Sequence, residues 1–434
     1  MEASSSSFPR EITPPAYGVR IFSLSEQQFI HAGHLFDTMM ADEDIRRTGA
    51  FIGRLEDSAG PSDQDTLNCV NIVKDTLRTD ANNPETGRPF FDPSLQLRRN
   101  VWPEKHVYEM TPASNKETDS DQVMELRKMF KRKILRHDFL SNSKEKKQTD
   151  LEKTYNASGV NGVLTEFFEQ VLKRRKRILY AVNMTLEKDL RTTKDLAMSE
   201  MRSLMEHLPG GPRAGINCPA VSIGQEGATF NPHIEYCAFQ GVDRLIAGAP
   251  KLWFIIPPRF YSAYLQLIKK TGVDEFDMFC NSLLLHNKMF LDPRTVIQYG
   301  IPVFTVVQQP GDIVYLLPHT IHWGINLGLN INESMNIASA SWAVSGMLAP
   351  GSCSCTNGGA DDSTVFNITP ILRAIGKDEE TIYNYQKGRL LFLMSDTDSL
   401  TPWNGRPYST TIKMEHLLGD AFLDDEVGKP VFQT

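Results

Sequence analysis

The sequence predicts a mainly β fold, a barrel or sandwich, with helices added around it. Two observations carry this. Short apolar runs at 219–223, 252–256, 303–307 and 313–317 are mostly bounded by Pro or Gly, the punctuation expected of a compact β architecture. Elsewhere apolar residues recur at helical spacing in longer stretches before and after those runs. At 434 residues, with 41% apolar and 23% charged residues, the chain is long enough for a large core and ordinary enough for a globular protein.

Taken in order, residues 1–16 are rich in Ser, Pro and Thr and read as a disordered tail. From 26 to 40, Phe29, Ile30, Ala32, Leu35, Phe36 and Met39 recur on one helical face. Residues 53–100 mix Asp, Pro, Gly and Asn and read as extended connections. A helix is expected over 119–137, with Val123, Leu126, Met129, Phe130 and Ile134 on one side and lysines and arginines on the rest. Another is expected over 163–174. The basic run 173–177 after it is either an import signal or nucleic-acid patch, or a solvated face leading into the apolar 178–180. A helix over 189–208 ends at Pro209-Gly-Gly-Pro212, and 366–391 reads as helical with a break near Gly376. The rest, 396–434, carries Pro, Gly and acidic residues with little periodicity.

Composition narrows the class. A net charge of −7 does not mark a general nucleic-acid binder. The first residues lack a charged start and an apolar h-region, so no signal peptide is expected. No apolar run reaches the roughly 18 residues of a membrane span, so no membrane partner is expected either. The six cysteines, at 69, 218, 237, 280, 353 and 355, are too sparse for a disulfide framework and suit a reducing compartment, some of them as metal ligands.

The chemistry concentrates in Thr229-Phe-Asn-Pro-His-Ile-Glu235 and in Pro318-His-Thr-Ile-His322-Trp-Gly-Ile-Asn326. If the first segment is a strand, His233 and Glu235 project from one face and can grip one ion. His322 completes a two-histidine, one-carboxylate set, which leaves coordination sites open and suits Fe(II) for oxygen chemistry. Around these lie Gly248-Ala-Pro-Lys251-Leu-Trp253-Phe-Ile-Ile-Pro-Pro258, Gln309-Pro-Gly-Asp-Ile-Val-Tyr-Leu-Leu-Pro318, Asn332-Glu-Ser-Met-Asn336 and Trp342. The whole set closely resembles the JmjC domain, the double-stranded β-helix (jelly-roll, cupin) of Fe(II)/2-oxoglutarate oxygenases. Tyr17-Gly-Val-Arg-Ile-Phe22 and the helical segment after it resemble JmjN; Asp150–Tyr155 and Tyr180–Leu186 resemble the stretch between the two modules. The likeness runs over about residues 15–395 and is to the JmjN-plus-JmjC histone lysine demethylases that carry a Cys-His-Cys-Cys zinc site.

The resemblance implies a division into a tail at 1–16, a JmjN-like segment at 17–60, a mixed helical linker at 61–175, the JmjC β-helix at 176–350, a zinc-clipped helical segment at 351–395 and a tail at 396–434. It implies Fe(II) on His233, Glu235 and His322. The cosubstrate 2-oxoglutarate would chelate that iron, with its far carboxylate on Lys251, helped by Tyr180, Thr229 and the residue at 243, between the apolar walls Phe230 and Trp253. Oxygen would complete the centre, and loss of formaldehyde from the hydroxylated N-methyl group would complete demethylation. Cys280, His286, Cys353 and Cys355 would hold a structural Zn2+. Gly215, Ser222, Ser334, Met335 and Asn336 would surround the methylated lysine of a histone tail on a nucleosome, in the nucleus, with chromatin-associated proteins as further partners.

Some positions depart from the family pattern. Ala220 and Ser222 stand where tyrosines line the methyl-ammonium pocket, and Asp243 stands where an asparagine lies beside the cosubstrate. A carboxylate at 243 would repel a dicarboxylate unless protonated or paired, for instance by Arg244. Asn287 replaces a lysine, and Tyr236 an acidic residue. These departures leave two alternatives beside the demethylase: a catalytically weak or inactive JmjC scaffold on chromatin, and a protein hydroxylase.

Overall fold

The structure, a computed structural model, describes residues 8–11, 18–56, 150–168, 197–270, 289–349 and 366–385, with short stretches at 96–97, 123–125, 127–128, 180–184 and 283–286. Its strands in chain order are β1 (Arg10–Glu11), β2 (Arg20–Leu24), β3 (Ala50–Leu55), β4 (Gln96–Leu97), β5 (Val123–Glu125), β6 (Arg127–Lys128), β7 (Tyr180–Met184) and β8 (Ala220–Gly224). They continue with β9 (Thr229–His233), β10 (Gln240–Gly248), β11 (Lys251–Ile256), β12 (Met289–Leu291), β13 (Phe304–Gln308), β14 (Ile313–Leu316), β15 (Ile321–Asn326) and β16 (Asn330–Ile337). One sheet runs β1-β2-β3-β14-β10-β16-β8-β7 and a second runs β13-β11-β15-β9. Together they form the jelly-roll core that the family resemblance implies, with the apolar runs as its strands.

Strand alternation sorts the side chains into layers. On β14, Ile313 and Tyr315 join the apolar cluster outside the larger sheet, while Val314 and Leu316 join the one between the sheets. On β11, Leu252, Phe254 and Ile256 face outward, and Trp253 and Ile255 face inward with Lys251. Helices cover both outer faces. Helices α1 (Glu26–Ile30) and α2 (Ala32–Met39) lay Phe29, Leu35 and Phe36 on the larger sheet. The helix Tyr261–Lys270 and the one at Asp150–Glu166 lay Tyr264, Leu267, Val163 and Leu164 on the smaller.

The N-terminal segment is built into the larger sheet. β2 pairs with β3 in parallel, and β3 pairs antiparallel with β14, Tyr315 opposite Phe51. Those two rings stack with centroids 4.6 Å apart, and the edge of Phe36 meets both. Arg54 adds an ion pair to Asp312, 2.6 Å from Nε to Oδ1.

Several helices differ from the sequence expectation. The stretch 26–40 is two helices, because the backbone departs from helical geometry at His31 (ψ 54°); Ser25 starts the first with a capping box to Gln28. Within 119–137, the described residues 123–125 and 127–128 are strands, paired with β12 and β4: cross-strand pairing has overridden a helical period. The helix expected at 163–174 begins earlier, at Asp150, and bends at Gly159 (φ 62°). In place of one helix to residue 208 there are two short 3-10 turns, Met198–Glu200 and Leu204–His207. Between them Arg202 spends its backbone groups on Ile30 and Gly33, and Ser203 caps the second turn, so no continuous helix can form. The break near Gly376 is present: Thr369–Ala374 ends there and helix resumes at 379.

Candidate active site

His233 is the last residue of β9, and His322 lies directly opposite it on β15. The pairing brings the two imidazoles to a centroid separation of 4.2 Å. Glu235 lies just past the strand end rather than inside it. Ile234 turns into the core, Glu235 remains extended (φ −70°, ψ 150°), and Cys237 and Ala238 then close a tight turn at positive φ. The carboxylate is thereby folded back between the sheets. Gly241 on β10 leaves it room, since a Cβ there would stand 3.0 Å from Glu235 Oε1.

The ligand atoms of His233, Glu235 and His322 all lie within 4.8 Å of one another. Each histidine is oriented by its own strand: His233 Nδ1 lies 2.6 Å from Asn231 O, and His322 Nδ1 lies 3.1 Å from Thr320 O. A ring N–H donated to a carbonyl places the proton on Nδ1 and leaves Nε2 for a metal. Glu235 Oε2 accepts from Asn336 Nδ2 at 2.9 Å, and its Oε1 lies 3.3 Å from His322 Nε2. Burial, with help from His322, pushes His233 down to about 4. Burial alone would raise the Glu235 carboxyl, but the contact with His322, the nearby His233 imidazole and the Asn336 amide hold it down at about 2. At neutral pH the pair is thus one neutral imidazole and one carboxylate, the ionisation a divalent cation needs. The donor set fits Fe(II).

A cavity of about 120 Å³ adjoins the triad. Phe230, Asp243, Lys251 and Trp253 line it, as do Gly215, Ser222, Ser334, Met335 and Asn336. Gly324 is the close approach that admits Phe230: a Cβ there would meet that ring at 2.5 Å and Leu252 O at 2.3 Å. Lys251, only 1% exposed, has Nζ 3.4 Å from Asp243 Oδ2 and 5.1 and 5.2 Å from the ring centroids of Phe230 and Trp253. Asp243 also accepts from Asn332 Nδ2 at 2.6 Å and from Gln308 Nε2 at 3.2 Å. Gln308 in turn accepts from Trp253 Nε1 at 2.8 Å. The charge at 243 is therefore paired, by Lys251 rather than by Arg244, whose guanidinium stands 6.0 Å over the Phe29 ring. As the residues stand, the lysine end of the cavity does not fit a free dicarboxylate.

Not every expected residue reaches this cavity. Thr229 is buried, but its Oγ1 has no hydrogen-bond partner and it does not line the space. The backbone of Tyr180 pairs with Gly224, while its side chain lies outside the described residues. Cys280, Cys353, Cys355 and the side chain of His286 also lie outside them, as do Asn287 and the basic run 173–177. Asn332 and Gln308 were not expected. Asn332 had a signal in the sequence, since it shares a strand face with Ser334 and Asn336; Gln308 had none, because only the register opposite Lys251 brings it here.

Comparison with known proteins agrees with this geometry. Residues 220–337 match the family described as "JmjC domain, hydroxylase". The chain is 35% identical over 128 residues to "Lysine-specific demethylase JMJ17" of Arabidopsis thaliana, covering 30% of this chain and 10% of that protein. It is 28% identical over 158 residues to "Lysine-specific demethylase 4D" of Rattus norvegicus, covering 36% of this chain and 31% of the relative. Against "Lysine-specific demethylase 4B" of Mus musculus it is 29% identical over 167 residues, 38% of this chain and 14% of that one. The alignments thus span under a third of each relative's length. The segment that carries His233, Glu235 and His322 between two facing sheets matches the JmjC domain and is similar to the corresponding segments of lysine-specific demethylases.

Proposed function

We propose that this chain is an Fe(II)-dependent oxygenase that uses O2 and a 2-oxo acid to demethylate a lysine of a histone tail in the nucleus. The observation that carries the reading is the triad, with both Nδ1 atoms tied to backbone carbonyls and the ligand atoms of all three residues within 4.8 Å of one another. Fe(II) bound there supplies activation of O2 at the expense of the 2-oxo acid. The protein's own contribution is geometric and electrostatic. Asn336 holds the carboxylate ligand in place, Phe230 and Trp253 exclude water, and Ser222, Ser334 and Gly215 shape the side of the cavity where a methylated side chain would enter. With Ala220 fully buried and Ser222 small, β8 offers that side chain no aromatic wall, which favours recognition through shape and polar contacts over cation–π contacts.

A second reading, a chromatin-bound scaffold with little turnover, is favoured by one observation: Lys251 already has Asp243 as its counter-ion. Mass spectrometry over a panel of methylated histone peptides, with Fe(II), a 2-oxo acid and O2, separates the possibilities. Loss of a methylene from a methyl-lysine peptide is the expected result. Gain of one oxygen would make the protein a hydroxylase, and an unchanged panel with iron stoichiometrically bound would favour the scaffold.

A further inference from the structure

The cavity beside the triad has a charge balance of its own. Glu235 and Asp243 each bring a carboxylate and Lys251 an ammonium group. A divalent cation on the triad leaves the cavity with one positive charge to be met. A ligand bringing one negative charge, such as a 2-oxo monocarboxylate chelating the metal, closes the balance. A ligand bringing two leaves an unpaired anion beside the apolar side chains of Phe230, Trp253, Val242 and Leu316, which is costly.

Lys251 is no spare cation for that second charge. It is buried, with Asp243 on one side and the faces of Phe230 and Trp253 on others. Asp243 is not free to withdraw either. Asn332 and Gln308 both donate to it, and Gln308 is itself anchored by Trp253 Nε1 and by the carbonyl of Asp312. Arg244, the next residue on β10, faces the opposite side of the sheet and adds no charge to the cavity.

We propose that Asp243 sets the ligand specificity of this site: paired with Lys251, it makes the cavity prefer a 2-oxo monocarboxylate with an uncharged far end over 2-oxoglutarate. The proposal rests on the oxygenase reading above and narrows its cosubstrate.

The test is calorimetry on the full chain loaded with Mn(II), without O2, near neutral pH. The titrants are 2-oxoglutarate and 2-oxopentanoate, which has the same carbon chain and no second carboxylate. Wild type should bind 2-oxopentanoate more tightly, by about tenfold or more. In Asp243→Asn the order should reverse, with 2-oxoglutarate gaining about a hundredfold as Lys251 becomes available, and 2-oxopentanoate changing less than about threefold. Tighter binding of 2-oxoglutarate by wild type would overturn the proposal and leave the oxygenase reading standing, and this comparison needs no variant to fold. An equal gain for both acids in Asp243→Asn would overturn it too, since loosening alone would then suffice. Mn(II) bound with neither acid binding overturns it with the metal centre intact. Failure to bind Mn(II) would bring down both the proposal and the function it rests on.

Discussion

His233 and His322 are placed to hold a metal by what their Nδ1 atoms do. Each is tied to a carbonyl two residues earlier on its own strand, so ring orientation is set by backbone and does not depend on the ion. His322→Ala or His233→Ala should therefore abolish stoichiometric Mn(II) or Fe(II) binding while the far-ultraviolet circular dichroism stays that of wild type; equal metal content in variant and wild type would sink the assignment. His319, near the same strand, plays a different part. It is buried at positive φ (61°), its Nε2 lies 3.2 Å from Ser345 O, and burial pushes its pKa down to about 4. A lowered histidine pKa means that between about pH 6.5 and 4 the unfolded chain takes a proton the folded one refuses, so stability falls as pH falls through that window. His319→Asn, which suits the same backbone region, should remove part of that slope, on the order of 2 kcal/mol at pH 5; urea midpoints at pH 7 and 5 measure it. The triad was legible in the sequence because its residue types are rare together and flanked by specific motifs. The pairing of Asp243 was not, because Lys251, Asn332 and Gln308 converge on it from three different strands.

At the scale of elements, the strands were read more accurately than the helices. The apolar run 252–256 is one case: it is the strand Lys251–Ile256, with Leu252, Phe254 and Ile256 outward and Trp253 and Ile255 inward. The segment 189–208 has the composition of a helix, yet within its described part the backbone of Arg202 is claimed by Ile30 and Gly33 and the Leu204 N–H by Ala338, partners invisible to local periodicity. The β13–β14 turn gives an element-scale prediction. Asp312 is almost fully buried; it accepts from Gln309 N at 2.9 Å, which fixes the turn, and from Arg54 Nε on β3 at 2.6 Å. Arg54 is nearly half exposed, so its share of the ion pair is screened. Arg54→Ala should cost about 1 kcal/mol or less and Asp312→Ala about 2 kcal/mol or more, since the latter also leaves a turn N–H unmet. Equal losses in denaturant melts would show that the ion pair, not the turn, is what matters.

For the whole molecule, the division into modules was drawn from family resemblance, and most of the linker and tail sequence lies outside the described residues. The zinc proposal can still be tested on the intact chain. If Cys280, His286, Cys353 and Cys355 share one Zn2+, Cys353→Ser with Cys355→Ser should release about one zinc per chain and lower the melting temperature, because thiolate ligation couples metal to folding; full zinc content with unchanged melting would refute it. The larger sheet carries a further consequence. β3 covers the free side of β14, whose four residues Ile313 to Leu316 are all buried and apolar. A chain cut back to residues 220–337 would keep His233, Glu235 and His322 yet turn β14 into a bare sheet margin, its row of amides and carbonyls open and Tyr315 stripped of its stacking partner Phe51. Such a margin recruits the nearest strand available, and in solution that is another copy. The expected product of that truncation is an aggregate rather than a minimal enzyme, and light scattering against the full chain would reveal it. The N-terminal strands are, in this sense, a built-in chaperone for the segment that carries the triad.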